Sequence, residues 1–259
     1  MAEFELIENL PFSTQNTIGS KARIGLVVLA SDYTVEHEFR ILLNEMGEAA
    51  DGVALFHARI DNAPNVTPET LAAMGPSITE TASRLLLGDT LDALAYGCTS
   101  ASMVLGPDTV NQYLRDAKPE AKVTNPVTAA FAAFDALNAK RIAVLTPYRS
   151  DVNAIVRAGI EAGGYEVPVF GSFNEEMDPV VASIDTPSLI AGIKTITDGR
   201  EVDAVFVSCT SIRLMHAVAE IEQELSLPVT SSNHAMAWHC LRLTNNSFNA
   251  PHLGRLFDC

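Results

Sequence analysis

Two hydrophobic patterns alternate along the chain. Short, nearly unbroken apolar runs predict buried strands, at residues 23–29, 53–60, 92–97, 122–124, 141–146, 165–170, 203–208 and 227–230. Between them, apolar residues at helical spacing predict helices, at residues 35–47, 67–87, 101–117, 151–162, 187–199, 212–225 and 231–243. This alternation predicts an α/β protein built from parallel sheets, with helices on both faces of each sheet.

The segments between these elements carry turn and cap signals. Thr67 followed by Pro68 is typical of a helix N-cap with proline in the first helical position. The serines at 231 and 232 are typical of another helix start. Residues 1–20 show no regular pattern and predict a loosely attached arm, and residues 174–186 predict a loop with some helix.

The chain contains one nine-residue pattern twice: Asp-Ala, four residues that are mostly apolar or small, and then Cys-Thr-Ser. Residues 92–100 read Asp-Ala-Leu-Ala-Tyr-Gly-Cys-Thr-Ser, and residues 203–211 read Asp-Ala-Val-Phe-Val-Ser-Cys-Thr-Ser. The strand predicted at 141–146 also repeats the pattern of residues 23–28. These repeats predict two pseudo-symmetric α/β domains, each a parallel sheet flanked by helices, with the active site in the cleft between them.

The second copy of the pattern restarts at residue 141, so the domain boundary is expected between residues 126 and 140. The last predicted helix follows the last strand of the second half and can cross back to the first. We therefore assign residues 1–125 plus 232–259 to the first domain and residues 126–231 to the second.

Each copy of the nine-residue pattern places a cysteine where a buried strand ends and a helix is predicted to begin. A helix N-terminus stabilises a thiolate, so we expect Cys98 and Cys209 to have lowered pKa values. A single cysteine at a strand end is usually a small buried apolar residue. Two cysteines in equivalent places indicate instead a pair of opposed thiols that can perform acid–base chemistry at one carbon centre.

Several other polar residues also follow predicted strands. Ligands of parallel sheets lie beyond the carboxyl ends of the strands, where Ser31, Asp32 and Tyr148 are expected beside the two cysteines. The hydroxyl and backbone N–H groups of the two Cys-Thr-Ser turns predict a carboxylate-binding site. Helix capping is the alternative role of these hydroxyls, and both roles can coexist.

Charge and composition narrow the partners. The net charge of −15 argues against nucleic acid and against an anionic membrane surface. No apolar run approaches the roughly 20 residues that span a bilayer, and the acidic N-terminal residues lack the basic start of a signal peptide. We expect a cytoplasmic protein that forms a homo-oligomer and acts on a small molecule.

The sequence shows no motif for a bound cofactor. The four cysteines, at 98, 209, 240 and 259, show neither zinc-site spacing nor a disulfide framework. There is no glycine-rich nucleotide motif, no serine-hydrolase elbow and no histidine spacing typical of metal ligands. We therefore expect side chains alone to carry the chemistry, with no cofactor and no metal.

Five stretches together resemble the aspartate/glutamate racemase superfamily. They are residues 25–36, 97–100, 141–148, 208–211 and 228–238. Within the superfamily the chain is most similar to the branch of maleate cis-trans isomerases, arylmalonate decarboxylases and racemase-like ectoine-utilisation proteins, and closest to the last. The resemblance implies a cofactor-independent isomerase or racemase acting on a small carboxylate, with an ectoine-derived amino acid among the expected substrates.

The resemblance also implies roles for single residues. Cys98 matches the nucleophile of maleate isomerases, and Cys209 matches the proton donor. Thr99, Ser100 and Tyr148 match groups that hold a substrate carboxylate. The expected substrate-binding set comprises Ser31, Asp32, Thr99, Ser100, Tyr148, Asn153, Thr210 and Ser211.

One departure from the maleate isomerase pattern affects the expected substrate. Asp32 stands where those enzymes have an asparagine that contacts a carboxylate. A carboxylate at this place would repel a dicarboxylate and attract an ammonium group, so we expect a substrate with a nitrogen or a single carboxylate. The alternative role of Asp32 is to cap the following helix.

Two other functions stay open at this stage. An arylmalonate-type decarboxylase would use Cys209 as its proton donor, but decarboxylases have glycine at the place of Cys98. A non-catalytic protein that binds a small carboxylate would keep the cleft without reactive thiols.

Overall fold

Eight strands form the framework of the protein. The computed structural model describes residues 4–15, 18–63, 65–175, 177–246, 248 and 250–259. The strands are β1 (Ala22–Leu29), β2 (Val53–Ile60), β3 (Ala93–Gly97), β4 (Lys122–Thr124), β5 (Arg141–Thr146), β6 (Glu166–Ser172), β7 (Ala204–Val207) and β8 (Val229–Ser231). Each lies within two residues of a predicted strand. The strands β1, β3, β5 and β7 are almost entirely buried, whereas β2, β4 and β6 are partly exposed.

The strands form two four-stranded parallel sheets of the same topology. Their orders are β2-β1-β3-β4 and β6-β5-β7-β8. In the first sheet Val28 pairs with Gly97, and in the second Leu145 pairs with Val207. Both cysteine turns therefore leave their sheets at the carboxyl edge. The predicted α/β class, with its two parallel sheets and internal pseudo-symmetry, is confirmed.

Helices cover the sheets. They are α1 (Val35–Met46), α2 (Pro68–Ala72), α3 (Gly75–Ser83), α4 (Thr99–Leu105), α5 (Pro107–Ala117), α6 (Pro126–Ala136), α7 (Ser150–Ala162), α8 (Asp178–Val181), α9 (Thr186–Thr197), α10 (Val218–Leu225) and α11 (Ser232–Leu243). None of the helices in the described ranges is long and apolar enough to span a membrane.

Two helices predicted as continuous are each divided in two. The helix predicted at 67–87 becomes α2 and α3, because Pro76 lacks the N–H that would continue the helical hydrogen bonds. The helix predicted at 101–117 becomes α4 and α5, separated by Gly106 at a φ of 86° and by Pro107. The predicted cap at Thr67 is present, with its hydroxyl accepting from the backbone N–H of Thr70.

Helix α6 was not predicted from the sequence. Its residues are apolar on almost every side, so the pattern shows no amphipathic period. Asn125 caps it by accepting from the N–H groups of Val127 and Thr128. The helix is buried between the two halves: Phe134 packs in the core of the second sheet, and Ala133 packs with β1, α1 and α11.

The packing also bears on the domain boundaries. Helix α11 follows β8 of the second sheet but packs with α1 and β1 of the first. The expected boundaries at 125/126 and 231/232 stay a proposal, because α6 contributes side chains to the cores of both halves.

Candidate active site

Both repeated turns line one cavity between the halves. Cys98 and Cys209 are lining residues, although their side chains are almost fully buried. The cavity is narrow, with a volume of about 30 Å³. Four of the predicted substrate-binding residues line it: Ser100, Tyr148, Thr210 and Ser211.

The first turn starts a helix as predicted. Cys98 is the N-cap residue of α4 and has an extended backbone. The Ser102 hydroxyl donates to the Cys98 carbonyl at 2.7 Å, which fixes the first helical turn. The Ser100 hydroxyl lies 3.7 Å from the Cys98 sulfur. The thiol is therefore held at the cavity wall beside a hydroxyl.

The second turn has a different structure, and the helix predicted at 212–225 was wrong at its start. A loop follows Cys209, and α10 begins only at Val218. The first half and α11 hold this loop through three hydrogen bonds at the Thr210–Ser211 segment. Asn233 Nδ2 donates to the Thr210 carbonyl at 2.8 Å, and Thr34 Oγ1 donates to the Ser211 carbonyl at 2.8 Å. Thr210 Oγ1 donates to the Gly97 carbonyl at 3.3 Å.

Glu38 connects the first half to the end of the same loop. This fully buried residue of α1 accepts hydrogen bonds from the backbone N–H groups of Leu214 and Met215 at 3.1 and 3.0 Å. Burial raises the pKa of Glu38 to about 7. The position of the loop that follows Cys209 therefore depends on Glu38, a side chain from the other half of the molecule.

The predicted lowering of the thiol pKa values was wrong. Burial raises the pKa of Cys98 to about 11 and that of Cys209 to about 12, and the nearby Asp178 carboxylate adds to both shifts. The hydrogen bonds that each sulfur receives oppose this effect but do not overcome it. Both thiols are consequently protonated in the free site at neutral pH.

Tyr148 is fixed by a second predicted residue. Its hydroxyl is buried, which raises the pKa of the phenol well above its ordinary value, so it remains a hydrogen-bond donor. Asn153 does not line the cavity but donates to the Tyr148 carbonyl at 2.7 Å and accepts from the Thr146 hydroxyl at 2.6 Å. Asn153 therefore holds the backbone of Tyr148, and its contact with a substrate stays a proposal.

Thr99 and Asp32 also have structural contacts. The Thr99 hydroxyl donates to the Ser232 hydroxyl at 2.8 Å, so this side chain is directed away from the cavity lining. Asp32 Oδ1 accepts from the N–H groups of Thr34 and Val35 at 2.7 and 2.8 Å, which caps the start of α1. Burial raises the pKa of Asp32 to about 6.

Ser31 is hydrogen-bonded to the carboxylate of Asp178, a residue that was not predicted from the sequence. Its hydroxyl donates to Asp178 Oδ2 at 2.6 Å and accepts from Asn62 Nδ2 at 2.9 Å. Asp178 and Asn62 both line the cavity, from the segments that follow β6 and β2. Their place beyond the carboxyl ends of strands was a usable signal, but nothing in the sequence distinguishes Asp178 from its acidic neighbours such as Glu175.

Across the described ranges, no group of three or more His, Cys, Asp and Glu side chains is arranged to hold a metal ion.

The raised thiol pKa values predict the pH dependence of alkylation. Only the thiolate reacts, so the rates at Cys98 and Cys209 in the free enzyme should rise about tenfold per pH unit between roughly pH 7 and pH 9.5. Peptide mass spectrometry after timed exposure to iodoacetamide measures both rates. A rate that levels off near pH 8 would show that the site stabilises a thiolate without substrate.

The sequence matches known proteins over most of its length. The family model described as arylmalonate decarboxylase matches residues 24–257. A maleate isomerase of Nocardia farcinica is 30% identical over 242 residues, which cover 90% of this chain and 94% of that protein. An arylmalonate decarboxylase of Bordetella bronchiseptica is 30% identical over 199 residues, which cover 75% of this chain and 82% of that protein.

Solved structures share the fold. A cysteine-to-alanine mutant of a Pseudomonas putida maleate isomerase, crystallised with maleate, has a TM-score of 0.84 at 25% identity, covering 92% of this chain and 97% of that chain. A cysteine-to-serine mutant of the Nocardia farcinica maleate cis-trans isomerase contains a covalently bound succinylcysteine intermediate. It has a TM-score of 0.84 at 27% identity, covering 92% of this chain and 98% of that chain.

Proposed function

Because the chain belongs to the arylmalonate decarboxylase family, in the branch of the aspartate/glutamate racemase superfamily that includes the maleate isomerases, we propose that Cys98 and Cys209 form a catalytic pair. The chain is an enzyme of a cofactor-independent isomerase family. Its proposed reaction is the isomerisation or racemisation of a small carboxylate. The observation that carries this proposal is the presence of two thiols from equivalent turns in one cavity.

The pair can catalyse either racemisation or cis–trans isomerisation when one cysteine is a thiolate and the other is a protonated thiol. In racemisation, one thiolate removes the proton from the carbon beside the carboxylate, while the other thiol donates a proton to the opposite face. In cis–trans isomerisation, the Cys98 sulfur bonds to one alkene carbon and Cys209 protonates the other. Rotation about the new single bond, return of that proton to Cys209 and cleavage of the carbon–sulfur bond then yield the trans alkene.

Hydroxyl groups supply the carboxylate site in this proposal. Ser100, Tyr148, Thr210 and Ser211 line the cavity around the two thiols. Neutral donors of this kind can bind a single carboxylate without a cation. The succinylcysteine in the Nocardia enzyme supports a cysteine nucleophile, which corresponds here to Cys98 by the match of the first turn.

The substrate class, the cellular location and the oligomeric state of the enzyme are parts of the same proposal. An ectoine-derived amino acid stays the expected substrate class, and a cytoplasmic homo-oligomer stays the expected form. Decarboxylation through Cys209 alone is the competing reaction, and the description of the matching family favours it. The presence of Cys98 in the cavity favours isomerisation or racemisation instead.

An exchange experiment tests the proposal and separates the reactions. The enzyme would be incubated in D2O with maleate, with arylmalonate and with a panel of small L- and D-amino acids, and followed by proton NMR. Racemisation replaces the proton on the α-carbon with deuterium, isomerisation produces fumarate, and decarboxylation releases CO2 from arylmalonate. We expect exchange or isomerisation and no release of CO2. A protein that only binds carboxylates would change none of these compounds.

A further inference from the structure

We propose that Asp178 determines the specificity of the cavity by binding an ammonium group, so that the substrate is an amino acid rather than a dicarboxylate. This inference rests on the proposed function for the place of the substrate between the two thiols. It concerns a residue that the sequence reasoning did not select, and it replaces Asp32 as the group expected to recognise nitrogen.

The charge inside the cavity is the first observation. Among the described residues that line it, Asp178 is the only carboxylate, and none is Lys, Arg or His. Asp178 has no ion-pair partner in the described ranges either. A cavity of this kind carries one negative charge and no fixed positive charge, which disfavours a dianion and favours a cation.

The carboxylate is held in place by both halves of the molecule. Ser31 of the first half donates to Asp178 Oδ2 at 2.6 Å, and Ser211 of the second half donates to Oδ1 at 3.0 Å. Two neutral donors fix its orientation and leave its charge uncompensated. Ser211 directly follows the Cys209-Thr210 pair, so the carboxylate is anchored to the catalytic turn itself.

Asp32 is less suited to this task. One of its oxygens caps α1, and Asp32 does not line the cavity among the described residues. Its second oxygen, Oδ2, is buried without a hydrogen-bond partner in the described ranges. Asp32 and Asp178 are close enough for Asp178 to raise the pKa of Asp32. Both carboxylates therefore add to the negative potential, but Asp178 is the one in contact with the cavity.

An ammonium group at Asp178 would also prepare the thiols. The Asp178 charge is one cause of the raised pKa values of Cys98 and Cys209. A substrate cation beside this carboxylate cancels that contribution and favours the thiolate in the complex. The same contact would thus select the substrate and help to remove one proton from the pair.

The remaining lining groups complete the fit to an amino acid. Ser100 and Tyr148 line the cavity together with the two thiols and Asp178, and in this proposal their hydroxyls hold the substrate carboxylate. An α-amino acid has one carboxylate, one ammonium group and one acidic C–H bond on the carbon that joins them. The reaction implied by these three contacts is racemisation at the α-carbon.

Protection of the thiols tests this inference without requiring turnover. Alkylation of Cys98 and Cys209 would be measured with matched pairs that differ only in an ammonium or a hydroxyl group, such as alanine with lactate and aspartate with malate, and with maleate. In the wild type we expect amino acids to protect at concentrations at least tenfold lower than their hydroxy partners. Asp178→Asn keeps the shape of the side chain and should remove this preference.

Control variants make the outcome specific to Asp178. Asp198→Asn removes an exposed carboxylate at the end of α9 and should keep the preference, and a second variant, Asp178→Ser, should lose it as Asp178→Asn does. Thermal melts verify that each variant is folded. The inference would be overturned by equal protection from hydroxy acids or maleate, or by no protection from any amino acid. It would also be overturned by a preference that survives in Asp178→Asn, or by a preference that is lost only in Asp32→Asn, measured in parallel. Failure of the proposed reaction would appear separately, as absence of exchange in D2O despite selective protection.

Discussion

Cys98→Ala and Cys209→Ala should each lower kcat by roughly 10²–10⁴-fold or more, the range expected when a positioned acid or base is removed. Each thiol serves one face of the reacting carbon, so neither can replace the other. The double variant should be little worse than either single variant, because the two groups act as a unit. Initial rates with the substrate identified by exchange measure all three effects.

Cys240→Ala is the matched control for this prediction. Cys240 is a fully buried free thiol of α11 that does not line the cavity in the described structure. Its replacement should cost some stability through the small void it leaves, while kcat stays near the wild-type value. Full activity in Cys98→Ala together with inactivity in Cys209→Ala would identify a decarboxylase mechanism instead.

Glu38→Ala should lower the free energy of unfolding by about 2–6 kcal/mol, because two buried N–H groups lose their acceptor at about 1–3 kcal/mol each. These N–H groups belong to Leu214 and Met215, in the loop that carries Cys209. We also expect at least a tenfold loss of kcat, since the loop is no longer fixed from the first half. Urea unfolding and initial rates measure the two effects.

The pH dependence gives this prediction a second test. Burial raises the pKa of Glu38 from 4.5 to about 7, so the folded chain holds the proton more tightly than the unfolded chain. The stabilising contribution of the protonated group is complete below about pH 4.5 and is lost as the pH rises through about 7. Glu38→Gln does not titrate, so its stability relative to wild type should increase by about 2–3 kcal/mol between pH 5 and pH 8.

Glu222→Ala is the control that separates stability from catalysis. Glu222 likewise accepts from two backbone N–H groups, those of Val229 and Arg255, but it does not contact the Cys209 loop. Its loss should reduce stability and leave the kcat of the folded enzyme unchanged. If Glu38→Ala behaves in the same way, Glu38 only stabilises the fold and does not position the thiol.

Most strands could be predicted because runs of apolar residues show directly which segments are buried. Arg141–Thr146 has the bounds predicted for it, since it is a buried apolar run inside its sheet. Val53–Ile60 also has its predicted bounds, although it is an edge strand in which His57 and Arg59 are exposed. Breaks within helices depend instead on single backbone groups, such as the missing N–H of Pro76. Helix α6 could not be predicted because burial on nearly all sides removes the amphipathic period that marks a helix in a sequence.

The site was only partly predictable for a related reason. The repeated turns identified Cys98 and Cys209, because Cys-Thr-Ser turns at equivalent strand ends converge when two similar sheets face each other. Their pKa values followed burial and the nearby Asp178 carboxylate rather than helix position. Asp178 itself lies in an irregular segment with a one-turn helix, where no periodicity shows which acidic side chain is directed inward.

The two thiols come from one repeated pattern but are not equivalent, since Cys98 begins a helix and Cys209 begins a loop. The equilibrium constant of a reversible isomerisation belongs to the substrate and product alone. This inequality therefore cannot drive the reaction in one direction. In a racemisation the two enantiomers must share one value of kcat/KM, so unequal thiols give each enantiomer its own kcat and a KM that changes in proportion.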